Sequence, residues 1–144
     1  MDAEAVTRLR RVIGRLARLF NASSSSEDLT PTQASVLGLV AHRGPIGLAE
    51  LTELEGLNPT MVSRVVSKLD GDGLIRRLPH PADQRAVQLV ATDEGRQTHR
   101  RILAARTRTV ATILDELPPE VSATLAEALP ALEALAEGLR STRR

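Results

Sequence analysis

Val6, Leu9, Ile13, Leu16 and Phe20 recur at alternating three- and four-residue steps. This narrow seam predicts a helix over residues 3–20 that packs against another helix in coiled-coil fashion. Residues 21–28, which include four consecutive serines, read as a loop with no core of their own. Thr30-Pro31-Thr32-Gln33 has the form of a capping box with proline at the first helical position. Ala34, Val36, Leu37, Leu39 and Val40 make the helix it opens mostly apolar, hence central to a core, and Gly44-Pro45 ends it. Leu48, Leu51 and Leu54 mark a short helix that Gly56 terminates.

Residues 58–70 separate into two faces on a helical wheel. Val62, Val65, Val66 and Leu69 form an apolar packing stripe, while Thr60, Ser63, Arg64, Ser67 and Lys68 collect opposite it, and none of these is acidic. Asn58 suits the N-cap and Pro59 the position after it. Beyond the Asp70-Gly71-Asp72-Gly73 turn, residues 74–78 and 86–91 alternate enough to form the two strands of a hairpin, tipped by a polar loop. Thr92 caps a helix with Asp93 and Glu94 in its first turn, predicted to run to Leu117. After Pro118-Pro119 a last helix carries Val121, Leu125, Leu129, Leu132, Leu135 and Leu139, and Pro130 should bend or break it. The fold expected is mostly α with a small β-hairpin.

Composition narrows the chemistry. A chain of 144 residues suits one domain able to bury a core. Phe20 is the single aromatic, which argues against stacking on single-stranded bases. There is no cysteine, so thiolate metal sites and disulfides are excluded. His42, His80 and His99 lack metal-ligand spacing, and no nucleophile elbow is present; neither an enzyme nor a metal or other cofactor is expected. No apolar run approaches the ~20 residues of a membrane span, and the start of the chain lacks the apolar core of a signal peptide, so a cytoplasmic protein is expected. Net charge is only +1, but its distribution is uneven. Residues 8–18 hold five arginines, residues 96–108 five more without an acid, and residues 115–137 six acids without a base. Such blocks fit a polyanion partner or a pairing of helices, and equally well solvated helix faces.

Two helices joined by a glycine turn, the second with a hydroxyl-rich basic face, form a helix-turn-helix arrangement. That face suits a major groove, where hydroxyls and guanidinium read base edges and cations meet phosphate; an ordinary amphipathic surface helix is the plain alternative. The hairpin beside it carries Arg85 on a projecting tip, a placement suited to the narrow minor groove. Asp83 is placed to orient Arg85 by a charge-assisted hydrogen bond, or to make an exposed ion pair of little consequence. Arg76 and Arg77 on the incoming strand are expected to give sequence-independent phosphate contacts. The candidate DNA-contacting set is therefore Asn58, Thr60, Ser63, Arg64, Ser67, Lys68, Arg76, Arg77, Asp83 and Arg85. The last two helices have more apolar face than so small a body needs, and together with the seam of the first helix the surplus argues for a homodimer.

The chain resembles the MarR family of winged helix-turn-helix transcriptional regulators along nearly its whole length. The resemblance rests on Leu29-Thr30-Pro31-Thr32-Gln33 with Val36-Leu37, on Leu48-Ala49-Glu50-Leu51, and on Val62-Ser63-Arg64-Val65-Val66-Ser67-Lys68-Leu69. It continues through Gly73-Leu74-Ile75, the Asp-x-Arg wing within Pro81-Ala82-Asp83-Gln84-Arg85, and Ala91-Thr92-Asp93-Glu94-Gly95. It implies one domain over residues 1–144: a winged module at about 30–92, with residues 1–22 and 93–144 forming dimerisation helices. It also implies a ligand-responsive repressor that binds a palindrome of double-stranded DNA as a homodimer, with the helix after Asn58 in the major groove and Arg85 in the minor groove. A small organic effector would meet aliphatic walls with Arg15, Arg18 and His42 as candidate contacts, since the family's usual aromatic lining is absent. Thr52 stands where the family usually has alanine, and Ala91 where leucine is common. The alternative function is a winged-helix protein-interaction module without specific DNA binding.

Overall fold

Capping partners within reach of each other start the helices of the core. In the computed structural model, which describes residues 1–22 and 29–142, the Gln33 N–H donates to Thr30 Oγ1 (3.2 Å) and the Thr30 N–H to Gln33 Oε1 (3.0 Å). Both halves of the capping box thus open α2 (Pro31–Arg43), whose Ala34, Val36, Leu37 and Val40 are buried. Before it, α1 (Ala3–Ala22) takes in Asn21 and Ala22, two residues past the expected end. The rest of the expected serine loop, residues 23–28, lies outside the described residues.

The chain continues through β1 (Ile46–Gly47), α3 (Leu48–Glu55), α4 (Pro59–Gly71), β2 (Ile75–Pro79), β3 (Val87–Ala91), α5 (Asp93–Glu116) and α6 (Pro119–Thr142). Two compact units result, Met1–Arg106 and Thr107–Arg144. In the first, one apolar cluster gathers Leu37 of α2, Leu51 of α3, Val66 and Leu69 of α4, Ile75 of β2 and Leu89 of β3, all essentially without solvent contact. Side chains of this kind contribute about 1.5–3 kcal/mol each when fully buried, so α4 is held by its apolar stripe and leaves its other face outside. The short helix marked by Leu48, Leu51 and Leu54 is present, with Leu51 buried and Leu48 and Leu54 38% and 39% exposed.

The hairpin is part of a three-stranded antiparallel sheet in the order β1-β3-β2. Its register pairs Ile75 with Ala91 and Pro79 with Val87, and β1 adds Ile46 opposite Leu89. β1 is not among the elements expected from the pattern, because two residues are too short for an alternation to show.

Thr92 locks the sheet to α5. Its N–H donates to Leu74 O (3.1 Å), its Oγ1 donates to Gly73 O (2.6 Å), and the same oxygen accepts from the Gly95 N–H (3.0 Å). Two arginines of the basic block are engaged near the start of α5. Arg96 bonds Ala91 O and pairs with Asp93, and Arg101 reaches Glu94 (3.3 Å) and Thr98 (2.9 Å). In the second unit α6 runs unbroken through Pro130, so of the expected bend or break the break does not occur. Neither α1 nor α6 has a buried residue: Val6, Leu16 and Phe20 on α1 are 51%, 44% and 41% exposed, and Leu129 and Leu139 on α6 are 54% and 60%.

Candidate nucleic-acid interface

Gly56 sets the angle between α3 and α4. It closes α3 in the left-handed conformation (φ 65°), which glycine adopts without the strain a side chain would meet. Two residues on, Asn58 caps α4: its side-chain oxygen accepts the Thr60 N–H at 2.8 Å. This side chain is therefore spent on the helix start, in agreement with its predicted cap.

Burial divides α4 as the wheel predicts. Val62, Val66 and Leu69 are buried and Val65 half-buried, while Thr60, Arg64, Ser67 and Lys68 are exposed. Ser63 is half-buried, at the edge of the outer face rather than on it. Met61, 50% exposed, belongs to that face and was missed by sequence reasoning. Its spacing of three and seven residues to Arg64 and Lys68 was the available signal; an apolar side chain there suits a thymine methyl.

The cations differ in what holds them. Lys68 Nζ lies 2.8 Å from Asp72 Oδ1, an i,i+4 pair on the exposed end of α4. Arg77 turns back from β2 onto α4, donating from Nη2 to Ser67 Oγ at 3.1 Å, with Nε 3.8 Å from Asp70 Oδ2. Ser67, Lys68 and Arg77, expected to be open for DNA, thus have partners within the fold. Arg76, on the other face of β2, and Arg64 are exposed and have no ion pair or side-chain hydrogen bond among the described residues.

The wing tip is closed by its own backbone. The His80 N–H donates to Ala86 O (3.1 Å) and the Ala86 N–H to Asp83 O (3.0 Å), and His80 Nδ1 accepts the Ala82 N–H (3.1 Å). Asp83 does orient Arg85, but through the backbone: Oδ1 accepts the Arg85 N–H at 3.0 Å. No ion pair joins their side chains among the described residues, which corrects the expected charge-assisted bond. The acceptor lies two residues back along the chain, closer to the amide than to the far end of the arginine side chain. The guanidinium is left exposed on a pinned turn.

The candidate effector contacts lie on two helices, α1 and α2. Arg15 and Arg18 are exposed on α1 and His42 is exposed at the end of α2, with no hydrogen bond or ion pair joining them among the described residues. Nor do the described residues bring together three groups that could hold a metal. His99 of α5 is half-buried, and its ring rests on Gly38 of α2. A Cβ at Gly38 would stand 3.0 Å from His99 Cε1, and His99 Nδ1 is buried without a hydrogen-bond partner among the described residues.

Burial holds the His99 imidazole below its usual range, and the charges of Arg106 and His42 add to the effect. The neutral ring is therefore favoured in the folded chain. As pH falls below the ordinary value of 6.5, the unfolded chain takes up the proton first, so stability is lost from there down to the lowered native pKa. A His99→Gln variant is expected to lose less of its Tm than wild type between about pH 7.5 and 5.5. Parallel Tm profiles for the two proteins would show that His99 does not titrate this way.

Comparison with known proteins identifies relatives of this architecture. The MarR family model matches residues 29–87. The chain is 30% identical over 98 residues to the HTH-type transcriptional repressor MdtR of Bacillus subtilis, an alignment covering 68% of this chain and 63% of that protein. The chain thus spans less than two thirds of the length of that relative. It is 34% identical over 88 residues to the multiple antibiotic resistance protein MarR of Salmonella typhimurium, covering 58% of this chain and 61% of that protein. Among solved structures, that of RV1404 from Mycobacterium tuberculosis is similar at a TM-score of 0.78 and 30% identity, covering 95% of both chains. The apo form of MarR from E. coli shares the fold at a TM-score of 0.72 and 22% identity, covering 92% of this chain and 97% of that one.

Proposed function

The chain belongs to the MarR family of transcriptional regulators, and on that premise we propose that it is a sequence-specific reader of double-stranded DNA. It acts in the cytoplasm as a homodimeric repressor on a palindromic operator, and a small organic effector releases it. The observation that carries this reading is the outer face of α4. Thr60, Met61, Arg64, Ser67 and Lys68 stand exposed on a helix whose opposite face is fixed in the core. Hydroxyls, a methionine and an arginine on a rigid helix can meet base edges, while Arg85 on its pinned turn suits the minor groove. The uncovered apolar seams of α1 and of α6 support a second copy as their partner. Two recognition helices would then sit about 34 Å apart over successive major grooves.

Fluorescence anisotropy tests this directly. The protein is titrated against duplex from its own upstream region and against a scrambled duplex, at two salt concentrations. Selective, salt-sensitive binding is expected; equal weak binding to both would favour a module that docks a protein partner. In the same assay Arg76→Ala should weaken binding to both duplexes alike and reduce the salt slope by about one, as loss of a single phosphate contact does. An unchanged slope would remove Arg76 from the interface.

A further inference from the structure

The sequence treats Arg76 and Arg77 as equivalent neighbours, but the fold separates them. Side chains alternate along β2, so Arg77 shares a face with Ile75, which is buried at 1% exposure, and Arg76 points the other way. On α4, Ser63, Ser67 and Asp70 fall at i, i+4 and i+7, along one edge between the core stripe and the outer face. The Arg77 guanidinium lies against that edge, bonded to Ser67 Oγ at 3.1 Å and 3.8 Å from the Asp70 carboxylate. Its two partners, a hydrogen-bonded hydroxyl and an ion-paired carboxylate, stand one turn apart on the same helix, so a single side chain bridges the base of the wing to the C-terminal half of α4.

We propose that Arg77 is a positioning residue, which sets the wing against α4 and thereby the spacing between what the helix and the wing tip read, and that it is not a phosphate contact. The proposal rests on the DNA-binding reading. Asp70 belongs to the same device. An acid beside the outer face of a DNA-reading helix repels phosphate, and here its charge is answered by Arg77. Asp72, two residues on, is answered by Lys68 in the same way. Helix and wing each carry readout groups on short, rigid elements. Loosening the link between them leaves each contact chemically intact while removing their common register.

Asp70→Asn separates the two roles by sign. If Arg77 contacts phosphate, removing Asp70 takes away a repelling charge and releases the guanidinium, and both duplexes bind more tightly. If Arg77 positions the wing, the ratio of operator to scrambled affinity falls instead. We expect that ratio to drop about five- to tenfold, the low end of what one mismatched base pair costs, in both Asp70→Asn and Arg77→Ala. The double variant should lose no more than either single one, because both break the same link. The salt slope of Arg77→Ala stays near that of wild type, in contrast to Arg76→Ala. A variant that merely folds less well lowers both affinities alike and leaves the ratio untouched. Amide hydrogen exchange in the free protein supplies a readout without DNA: residues 79–91 should exchange several-fold faster in both variants.

A ratio unchanged in both variants, with selective wild type, overturns the positioning role alone. So does a slope reduced by about one in Arg77→Ala. Wild-type protein without selectivity overturns the DNA reading and this role within it together.

Discussion

An Arg85→Ala variant is expected to lose about 1–3 kcal/mol of operator affinity, roughly five- to 150-fold, and Arg64→Ala a similar amount. The reason differs at the two positions. Arg64 lies in the middle of the exposed face of α4 with no partner among the described residues, so its guanidinium is available to a base edge. Arg85 is held through its backbone, by Asp83 Oδ1 on its N–H and by the closure of the wing tip from His80 to Ala86. A cation on a pinned turn gives up less conformational freedom on entering a groove than one on a loose loop. Asp83→Ala should therefore reproduce part of the Arg85 loss without removing any positive charge. Anisotropy on operator and scrambled duplex measures all three. Full operator affinity in both arginine variants would refute the groove assignment.

Gly95→Ala is expected to unfold the winged module more readily than any surface change. A Cβ on Gly95 would stand 1.8 Å from Leu74 O and 2.8 Å from Leu74 C, and both atoms are backbone. Neither side can give way cheaply: Leu74 O accepts the Thr92 N–H, and Thr92 Oγ1 donates to Gly73 O. The first turn of α5 would have to lift off the sheet. Alanine gains about 1 kcal/mol over glycine in helix propensity, but inserting a group into packed backbone costs about 3 kcal/mol or more. The net loss should lower Tm by roughly 5–10 °C. Gly71→Ala is the control: it is helical, with nothing within 4 Å of the added Cβ, and should leave Tm level or slightly raised. Equal Tm values for Gly95→Ala and wild type in thermal melts would show that α5 does not pass this close to Leu74.

Much of this was legible along the chain. The capping box at Thr30 and Gln33, the Asn58 cap and the Thr92 cap each join residues two or three positions apart. The apolar stripe of α4 was readable because a helix repeats its faces every few residues whatever it packs against. Strand β1 was not, since two residues carry no period and Ile46 is a strand only through Leu89.

Local rules therefore settled the helix starts, the buried and outer faces of α4, and the wing as a projecting hairpin, for each follows from neighbours within a turn or two. The folded chain alone assigned the cations. Arg77 finds Ser67 ten residues back along the chain, across a gap closed by burial of Leu69 and Ile75 rather than by any attraction between arginine and serine. Gly95 likewise shows no local need for glycine; the need arises because packing brings the Leu74 carbonyl to where its side chain would be. Charge and backbone clearance at such points are set by the approach of elements distant in sequence, and that approach is set by the core.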